Sequence, residues 1–385
     1  RRAFCRDHRE PLRPPYIIAP AKHRPPSFSL FEKDPHAQTL HHFQRARLLR
    51  NKKFLRLNVL TALVCILVIG WGGTAESSPA GIRVGERTEI LFGSVEEGRR
   101  ILCSKDEYIE KMSPFDRSAR MKTAREVSIE EFVAFVGTKV SAWQYDEKER
   151  VENALLGIRA GLEGAPFPDM GTITMIKTTG EEEANRAYTR GNGVVLPQAM
   201  IHDPEIDLKR VLAHELFHVL SRNMPMVRFS LYEAIGFRYC GELDFPTSLS
   251  RITNPDAPRN DHVIRVKVNG EPALVMPILF SRTTACDVQS NRDLFDYLQF
   301  GLLRVTKDET ADSVRPMAGK DGPVLLDVGQ VELFFDQVGR NTDYIIHPEE
   351  ILADNFALLV LGEEHVPTPE ILSMLKNSLL SKEEK

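Results

Sequence analysis

Residues 214–218 read His-Glu-Leu-Phe-His, so three residues separate two histidines and a glutamate follows the first of them. Residues four positions apart on an α-helix project to the same side, so His214 and His218 would face the same way. Two neutral imidazoles on one face can bind a single Zn²⁺, and Glu215 at the edge of that face can reach a water molecule on the ion. This spacing predicts one zinc ion with a general base beside it.

The flanking residues predict the helix that this chemistry requires, at residues 206–223. Asp203 is the predicted N-cap and Pro204 fits the first helical position. The apolar residues of this stretch project to the side opposite His214 and can pack into a core: Leu208, Leu212, Leu216, Val219 and Leu220. The competing interpretation is a pair of core histidines that are satisfied by hydrogen bonds.

The pentapeptide resembles the H-E-x-x-H motif of the zincin superfamily of metallopeptidases, over five residues within one predicted helix. The resemblance implies that His214 and His218 bind zinc. It implies that Glu215 takes a proton from the attacking water and delivers it to the leaving amine. It also implies an α+β fold, a zincin-like catalytic domain in which a small mixed sheet accompanies the active-site helix and a second helix that carries a glutamate.

The third zinc ligand separates zincin subfamilies. Ser221 and Met224 stand where metzincins have a glycine and a third histidine, so that branch is excluded. Gluzincins supply a glutamate from a second helix, often with an aspartate four residues later. Residues 347–356 fit this description, with Glu350 as the predicted ligand and Asp354 as the predicted acceptor for the N–H of a ligand imidazole.

Glu233 is the alternative third ligand. It lies 15 positions after His218 and resembles the glutamate of thermolysin-like enzymes, but Phe237 stands where the supporting aspartate would be. An acidic residue such as Glu350 is also favoured in the first turn of any helix by the helix dipole, without a ligand role.

A zincin also needs a group that stabilises the oxyanion of the tetrahedral intermediate. Tyr344, six positions before Glu350, is the predicted residue. Tyr232 and His347 are alternatives, and each of these aromatic residues has an ordinary structural explanation as well.

The N-terminal part of the chain has the features of a targeting segment rather than of a folded domain. Residues 1–56 contain 14 Lys or Arg and 4 Asp or Glu without core periodicity, and we expect a disordered or non-native leader. Residues 57–75 are uncharged, follow a basic flank and end in small residues, as in a secretory signal peptide. The alternative is an uncleaved membrane anchor, since 19 such residues can just span a bilayer.

Charge and cysteine content restrict the other functional classes. Residues 1–56 carry +10 of the whole-chain charge of −4, which leaves −14 for residues 57–385. A protein this acidic is not expected to bind nucleic acid. Cys103, Cys240 and Cys286 follow the leader without C-x-x-C spacing, so they predict either one disulfide or buried thiols, and none is a predicted metal ligand.

The remaining chain is long enough for one large or two modest domains. We predict a helical N-terminal lobe at 76–165 and the zincin-like domain at 166–385, with an insertion at about 240–330. Strands are predicted at 172–179, 193–197, 262–268 and 273–280, and helices at 128–143, 147–162, 293–303, 331–338 and 369–385. By analogy with zincins, strand 193–197 is predicted at the sheet edge, where a peptide substrate would add; the alternative is an ordinary short core strand.

These features predict an exported metallopeptidase, secreted or periplasmic, that hydrolyses peptides or proteins with one catalytic zinc ion. A membrane-anchored extracytoplasmic enzyme is the alternative location. A narrow processing peptidase is a second enzymatic possibility, and a catalytically silent zincin-like binding protein is the alternative of a different class. The intact Glu215 argues against the silent protein, because loss of that base would remove hydrolysis.

Overall fold

The computed structural model describes residues 81–84, 87–165, 167–289, 292–307 and 313–380. The predicted leader and the predicted signal segment, residues 1–56 and 57–75, lie outside these ranges. None of the helices within them combines the length and apolarity needed to cross a bilayer. The described residues belong to one compact unit.

The helices of the described ranges differ widely in length, and the longest ones surround the histidine motif. In chain order they are α1 (Val95–Leu102), α2 (Glu107–Lys111), α3 (Pro114–Arg120), α4 (Ile129–Lys139), α5 (Tyr145–Gly164), α6 (Gln198–His202), α7 (Leu208–Asn223), α8 (Pro225–Ala234), α9 (Leu294–Tyr297), α10 (Phe334–Val338), α11 (Pro348–Leu361) and α12 (Pro369–Leu380). Two short 3₁₀ turns lie at Glu181–Glu183 and Val328–Gln330.

The strands of the described ranges fall into two main sheets and one small hairpin. In chain order they are β1 (Ile82–Val84), β2 (Thr88–Phe92), β3 (Thr172–Thr178), β4 (Tyr188–Arg190), β5 (Gly193–Pro197), β6 (Phe237–Tyr239), β7 (Ser250–Arg251), β8 (His262–Val268), β9 (Glu271–Ser281), β10 (Gln299–Lys307), β11 (Val314–Pro316), β12 (Ala318–Gly319), β13 (Gly322–Pro323) and β14 (Leu325–Leu326).

The first sheet is mixed and has the strand order β1-β2-β3-β5-β4. β2, β3 and β5 are parallel to one another, whereas β1 and β4 are antiparallel to their neighbours. The prediction that β5 forms the sheet edge is wrong, because Thr189 of β4 pairs with Val194 of β5 and all five residues of β5 are buried. The edge is therefore β4, a strand of three residues that the sequence pattern did not reveal.

The second sheet lies in the predicted insertion and is antiparallel throughout. Its order is β11-β10-β9-β8-β6, with β14 paired to β10 and β7 paired to β9. The predicted hairpin is confirmed: Asn269 and Gly270, at φ 52° and 80°, form the turn between β8 and β9. Both residues occupy the left-handed region, which explains the Asn-Gly pair.

Two regions that were predicted to be helical, residues 293–303 and 76–165, contain strands as well as helices. Residues 293–303 form only the short helix α9, and from Gln299 onward they join the second sheet as β10. In residues 76–165 the predicted helices are present as α4 and α5, with the capping box of Ser128 and Glu131. The same stretch also supplies β1 and β2, and β2 pairs with β3. It therefore shares a sheet with residues beyond 165 and is not purely helical.

A continuous apolar core lies between the first sheet, the second sheet and helices α5, α7 and α11. Leu212 and Leu216 of α7, Leu155 of α5 and Phe356 of α11 are fully or almost fully buried in it. These positions recur at helical spacing, so each helix buries one face. The thiols of Cys103, Cys240 and Cys286 are free.

Helix α7 begins at Leu208, two residues after the predicted start, and its N-cap lies four positions after the predicted one. Asp203 ends the preceding helix α6, and the N-cap is Asp207, whose side chain accepts hydrogen bonds from the backbone N–H groups of Lys209 and Arg210. Both aspartates suit an N-cap, so composition alone did not separate them. The predicted end at Asn223 is confirmed.

Candidate metal centre

Helices α7 and α11 pack side by side and place the predicted site residues together. Helix α11 starts at Pro348 as predicted, and the His347 side chain caps it by accepting a hydrogen bond from the Glu349 N–H. On α7, the ring centroids of His214 and His218 lie 4.8 Å apart. The Glu350 carboxylate of α11 reaches both rings.

Three donor atoms converge between the helices. Glu350 Oε2 lies 3.1 Å from His214 Nε2 and 3.6 Å from His218 Nε2. Ligand atoms around a tetrahedral zinc ion with bonds of about 2.0–2.1 Å are roughly 3.3 Å apart, so these spacings fit one ion. His218 Nε2 is buried and has no hydrogen-bond partner among the described residues. A buried ring nitrogen without a partner is explained if it binds a cation.

Asp354 fixes the ring of His214, as the sequence predicted. Its Oδ1 lies 3.0 Å from His214 Nδ1, and its other oxygen accepts a hydrogen bond from the Thr342 hydroxyl. Burial lowers the pKa of His214, but the hydrogen bonds to Asp354 and Glu350 outweigh burial and raise that pKa to about 10. The surroundings of this ring therefore favour a positive charge.

Glu349 fixes the ring of His218, and the sequence analysis missed this role. Its Oε1 lies 3.1 Å from His218 Nδ1, and its Oε2 accepts hydrogen bonds from Ser221 Oγ, at 2.7 Å, and from the Tyr232 hydroxyl. The two adjacent glutamates of α11 therefore make different contacts. Glu350 lies between the two imidazoles, and Glu349 contacts Nδ1 of His218. Ser221, one turn after His218, was the available signal in the sequence.

Glu215 lies at the centre and is almost fully buried, with 5% of its surface exposed. Its Oε2 has no hydrogen-bond partner among the described residues. Burial, and next the nearby carboxylate of Asp256, raises the pKa of Glu215 to about 8. Glu215 is therefore a buried carboxyl group with an unpartnered oxygen, next in sequence to His214, one of the two predicted zinc ligands.

A loop before the second sheet's main strands supplies two further residues that the sequence analysis missed. Asn254 donates a hydrogen bond of 2.5 Å from Nδ2 to Glu350 Oε1. One oxygen of Asp256, one oxygen of Glu215 and one ring nitrogen of His218 lie within 4.8 Å of one another. Nothing in the sequence near residue 254 indicates this contact, because it is made across a long chain separation.

Of the other predicted residues, Tyr344 lies close to the centre and Glu233 does not. Tyr344 is half-buried, and its ring centroid lies 6.2 Å from that of His214. Glu233, the alternative ligand, is 61% exposed at the end of α8, where its carboxylate lies 4.0 Å from Arg238. The structure brings Glu350 to the two imidazoles and does not bring Glu233 there.

A cavity of about 940 Å³ borders the centre. Its wall contains His218, Asp256 and Glu349 of the centre and also residues of helix α2, including Glu107. Strand β4 also lines the cavity through Thr189 and Arg190. The cavity is large enough for a short peptide beside the metal centre.

Comparisons with protein-family models, with curated proteins and with solved structures gave no match for this chain. The assignment of function therefore depends on the geometry of the centre and on the chemistry of its residues.

Proposed function

We propose that this chain is a zinc-dependent metallopeptidase of the zincin type, in which His214, His218 and Glu350 hold one zinc ion. The observation that carries the proposal is the convergence of two imidazole Nε2 atoms on one carboxylate oxygen, with a separate carboxylate behind each ring. Two nitrogen ligands and one oxygen ligand form the set that is typical of catalytic zinc and leave one coordination position open.

A structural zinc site fits these residues less well. Structural sites are closed by four protein ligands, commonly cysteines, whereas the group of potential ligands at His214, His218 and Glu350 contains no cysteine. The buried Glu215 beside this group is also superfluous in a structural site. Both features favour a catalytic ion.

Bound Zn²⁺ supplies Lewis-acid activation of a water molecule and of the substrate carbonyl. Glu215 takes a proton from the attacking water at its unpartnered Oε2 and delivers it to the leaving amine. Asp354 and Glu349 keep the two imidazole rings oriented through Nδ1. Tyr344, whose ring centroid lies 6.2 Å from that of His214, would donate a hydrogen bond to the developing oxyanion.

The proposal includes export, which rests on residues 57–75 alone: an uncharged segment after a basic flank that ends in small residues. Such a location suits a hydrolase of external peptides or proteins. The net charge of −14 on residues 57–385 fits this class better than a nucleic-acid-binding one.

The test of the proposal is the Glu215→Gln variant, assayed for zinc content and for cleavage of a peptide library. We expect the variant to retain zinc and to lose activity by roughly 10²- to 10⁴-fold, since general acid–base catalysis contributes this much. Glu233→Gln, an exposed glutamate on the neighbouring helix, is the matched control and should resemble the parent. Equal activity of parent and Glu215→Gln would reject the mechanism. A parent that binds zinc and cleaves nothing would indicate the silent binding protein instead.

A further inference from the structure

Asp256 is a carboxylate that the proposed mechanism does not use. Its Oδ1 accepts two hydrogen bonds from Thr189, one from the backbone N–H at 2.7 Å and one from the hydroxyl at 2.6 Å. Its own N–H donates to Asn254 Oδ1 at 3.0 Å, so the loop is held in one conformation. Among the described residues no hydrogen bond ends on Asp256 Oδ2, and Asp256 lines the cavity.

Among the described residues, Asp256 forms no ion pair within 4.0 Å. The guanidinium of Arg222 is close, but it donates to Thr189 Oγ1 at 3.0 Å and to the Gly191 carbonyl at 2.9 Å. The neighbour of Asp256 is instead another acid, Glu215, which is 5% exposed and has an unpartnered Oε2. Two carboxylates this close, one of them buried, call for a cation between them.

A second metal ion does not meet this need. Among the described residues, the one imidazole grouped with the pair is that of His218, whose Nδ1 is taken by Glu349 and whose remaining lone pair, at Nε2, is committed to the first ion. Two carboxylates alone make a poor zinc site. An ammonium group, by contrast, has three N–H donors and is satisfied by two or three acceptor oxygens.

The net charge of the whole centre also favours a bound cation. The carboxylates around the two imidazoles belong to Glu215, Asp256, Glu349, Glu350 and Asp354. A divalent ion offsets two of these charges, and Arg210, at 3.8 Å from Asp354, offsets one more. Arg222, which shares the Thr189 side chain with Asp256, offsets a further charge, so the carboxylates exceed these cations by one, and this balance next to Asp256 favours a cationic group of a substrate.

We propose, on the premise that the metallopeptidase function is correct, that the free Oδ2 of Asp256 binds a primary ammonium group of the substrate next to the scissile carbonyl, which makes the enzyme an aminopeptidase. The α-nitrogen of a residue lies about 2.5 Å from its carbonyl carbon, given N–Cα and Cα–C bonds of about 1.5 Å. An amine-binding carboxylate must therefore lie within a few ångströms of the metal ligands, and Asp256 does.

The edge strand supports the free N-terminus as the source of this ammonium group. The backbone N–H of Thr189 in β4 points away from β5 and is occupied by Asp256. An extended substrate that continued upstream would need this N–H for strand pairing. Since Asp256 occupies it, β4 has no free N–H at Thr189 with which a residue upstream of the scissile bond could pair.

The experiment compares the binding of leucine hydroxamate and N-acetyl-leucine hydroxamate to the zinc-loaded protein by calorimetry. We expect the free amine to bind about tenfold to a hundredfold more tightly in the parent, as for a desolvated charge pair. In Asp256→Asn this preference should fall below about threefold, while zinc content stays at the parent level. Glu107→Gln, an acid-to-amide change elsewhere on the cavity wall, is the control and should keep the parental preference.

The possible outcomes separate the inference from the function on which it rests. Equal binding of the two hydroxamates by the parent overturns the inference but leaves the metallopeptidase intact, and this comparison needs no variant to fold. Loss of zinc in Asp256→Asn also overturns it, because Asp256 would then be a ligand. Failure of the parent to bind zinc or either hydroxamate rejects both proposals. Tight binding of N-acetyl-lysine hydroxamate, without an advantage for leucine hydroxamate, assigns the ammonium group to a side chain.

Discussion

At the scale of single residues, a different carboxylate stands behind each imidazole of the centre. Asp354 holds Nδ1 of His214, and Glu349 holds Nδ1 of His218, so both Nε2 atoms face Glu350. A carboxylate behind a ligand histidine fixes its tautomer and increases its basicity. The orientation of the two rings is therefore built into helix α11 as well as into α7.

The role of Glu349 can be tested with Glu349→Gln. We expect zinc affinity to fall by about 10- to 100-fold, the usual effect of removing such a partner from a ligand histidine. Affinity is measured by competition with a chromophoric chelator. Glu363→Gln, an exposed glutamate just after α11, is the control, and an unchanged affinity in Glu349→Gln would show that Ser221 and the packing orient His218 without it.

The site residues that the sequence predicted are those that obey helical periodicity. His214 and His218 are four apart, as are Glu350 and Asp354, and each pair lies on one face of a helix. Asp256 and Asn254 could not be predicted in this way, because a loop contact has no period. Glu349 was missed for another reason: it adjoins a residue that already had a role.

At the scale of helices and strands, the centre depends on the close approach of α5 and α11. Gly161 of α5 faces the backbone of α11, and a Cβ atom at this position would lie 1.8 Å from the Val360 carbonyl oxygen. Helix α11 also packs against α7, so α5 supports the helix that carries Glu350. A glycine in the middle of a helix costs stability, which the close packing offsets here.

We expect Gly161→Ala to destabilise the protein by about 1–3 kcal/mol, since backbone atoms cannot move away from the added methyl group without shifting a helix. Gly164→Ala is the matched control in the same helix, with no atom within 4 Å of its added Cβ. It should be neutral or stabilising by up to about 1 kcal/mol, because alanine is the better helix former. Urea unfolding measures both, and equal values would contradict this packing.

Local signals predicted the elements that local interactions determine. The capping box at Ser128 and the Asn269-Gly270 turn are present as predicted, because each depends on residues close in sequence. Strand β10 was predicted as a helix, and strand β4 was not predicted at all. Both are strands because neighbouring strands pair with them, and no local pattern reports such pairing.

At the scale of the whole molecule, a buried charge cluster ties the N-terminal helices to the loop that enters the centre. Arg120 of α3 pairs with Asp116 at 2.7 Å and with Glu183 at 3.0 Å, and its NH2 group donates to the Thr253 carbonyl at 2.9 Å. The Thr253 N–H donates to Asp116 Oδ2 at 2.8 Å. Thr253 directly precedes Asn254, so this cluster positions the loop that reaches Glu350.

The cluster predicts a pH dependence of stability. Burial raises the pKa of Glu183 from its ordinary value of 4.5 to about 7, and the nearby Asp116 and Glu182 add to this against the pull of Arg120. The folded state therefore holds this proton more tightly than the unfolded state does. The stability that results is complete below pH 4.5 and is lost as the pH rises through about 7.

We expect Glu183→Gln, which cannot ionise, to gain stability relative to the parent as the pH rises from 5 to 8. The change in the difference between the two proteins should be about 3 kcal/mol at most, from the linkage between pKa and stability. The free energy of unfolding in urea, measured for both proteins at the two pH values, checks this. A constant difference, or one that moves the opposite way, would contradict the raised pKa.

The division of the chain into structural regions could be predicted only in part from the sequence. The predicted insertion does form its own sheet between α8 and α11, because a hairpin signal and alternating strands lie there. The sequence did not predict that the preceding loop enters the centre or that Glu183 and Arg120 anchor it. These contacts join positions more than 60 residues apart, and each depends on the complete fold.

The central claim is that His214, His218 and Glu350 hold one metal ion, and the amount of zinc bound per chain tests it most directly. The parent and Glu233→Ala should each bind one zinc ion, whereas Glu350→Ala should lose it under the same dialysis, because two imidazoles alone hold zinc weakly. Full zinc content in Glu350→Ala, or a parent without zinc after loading, would contradict the account.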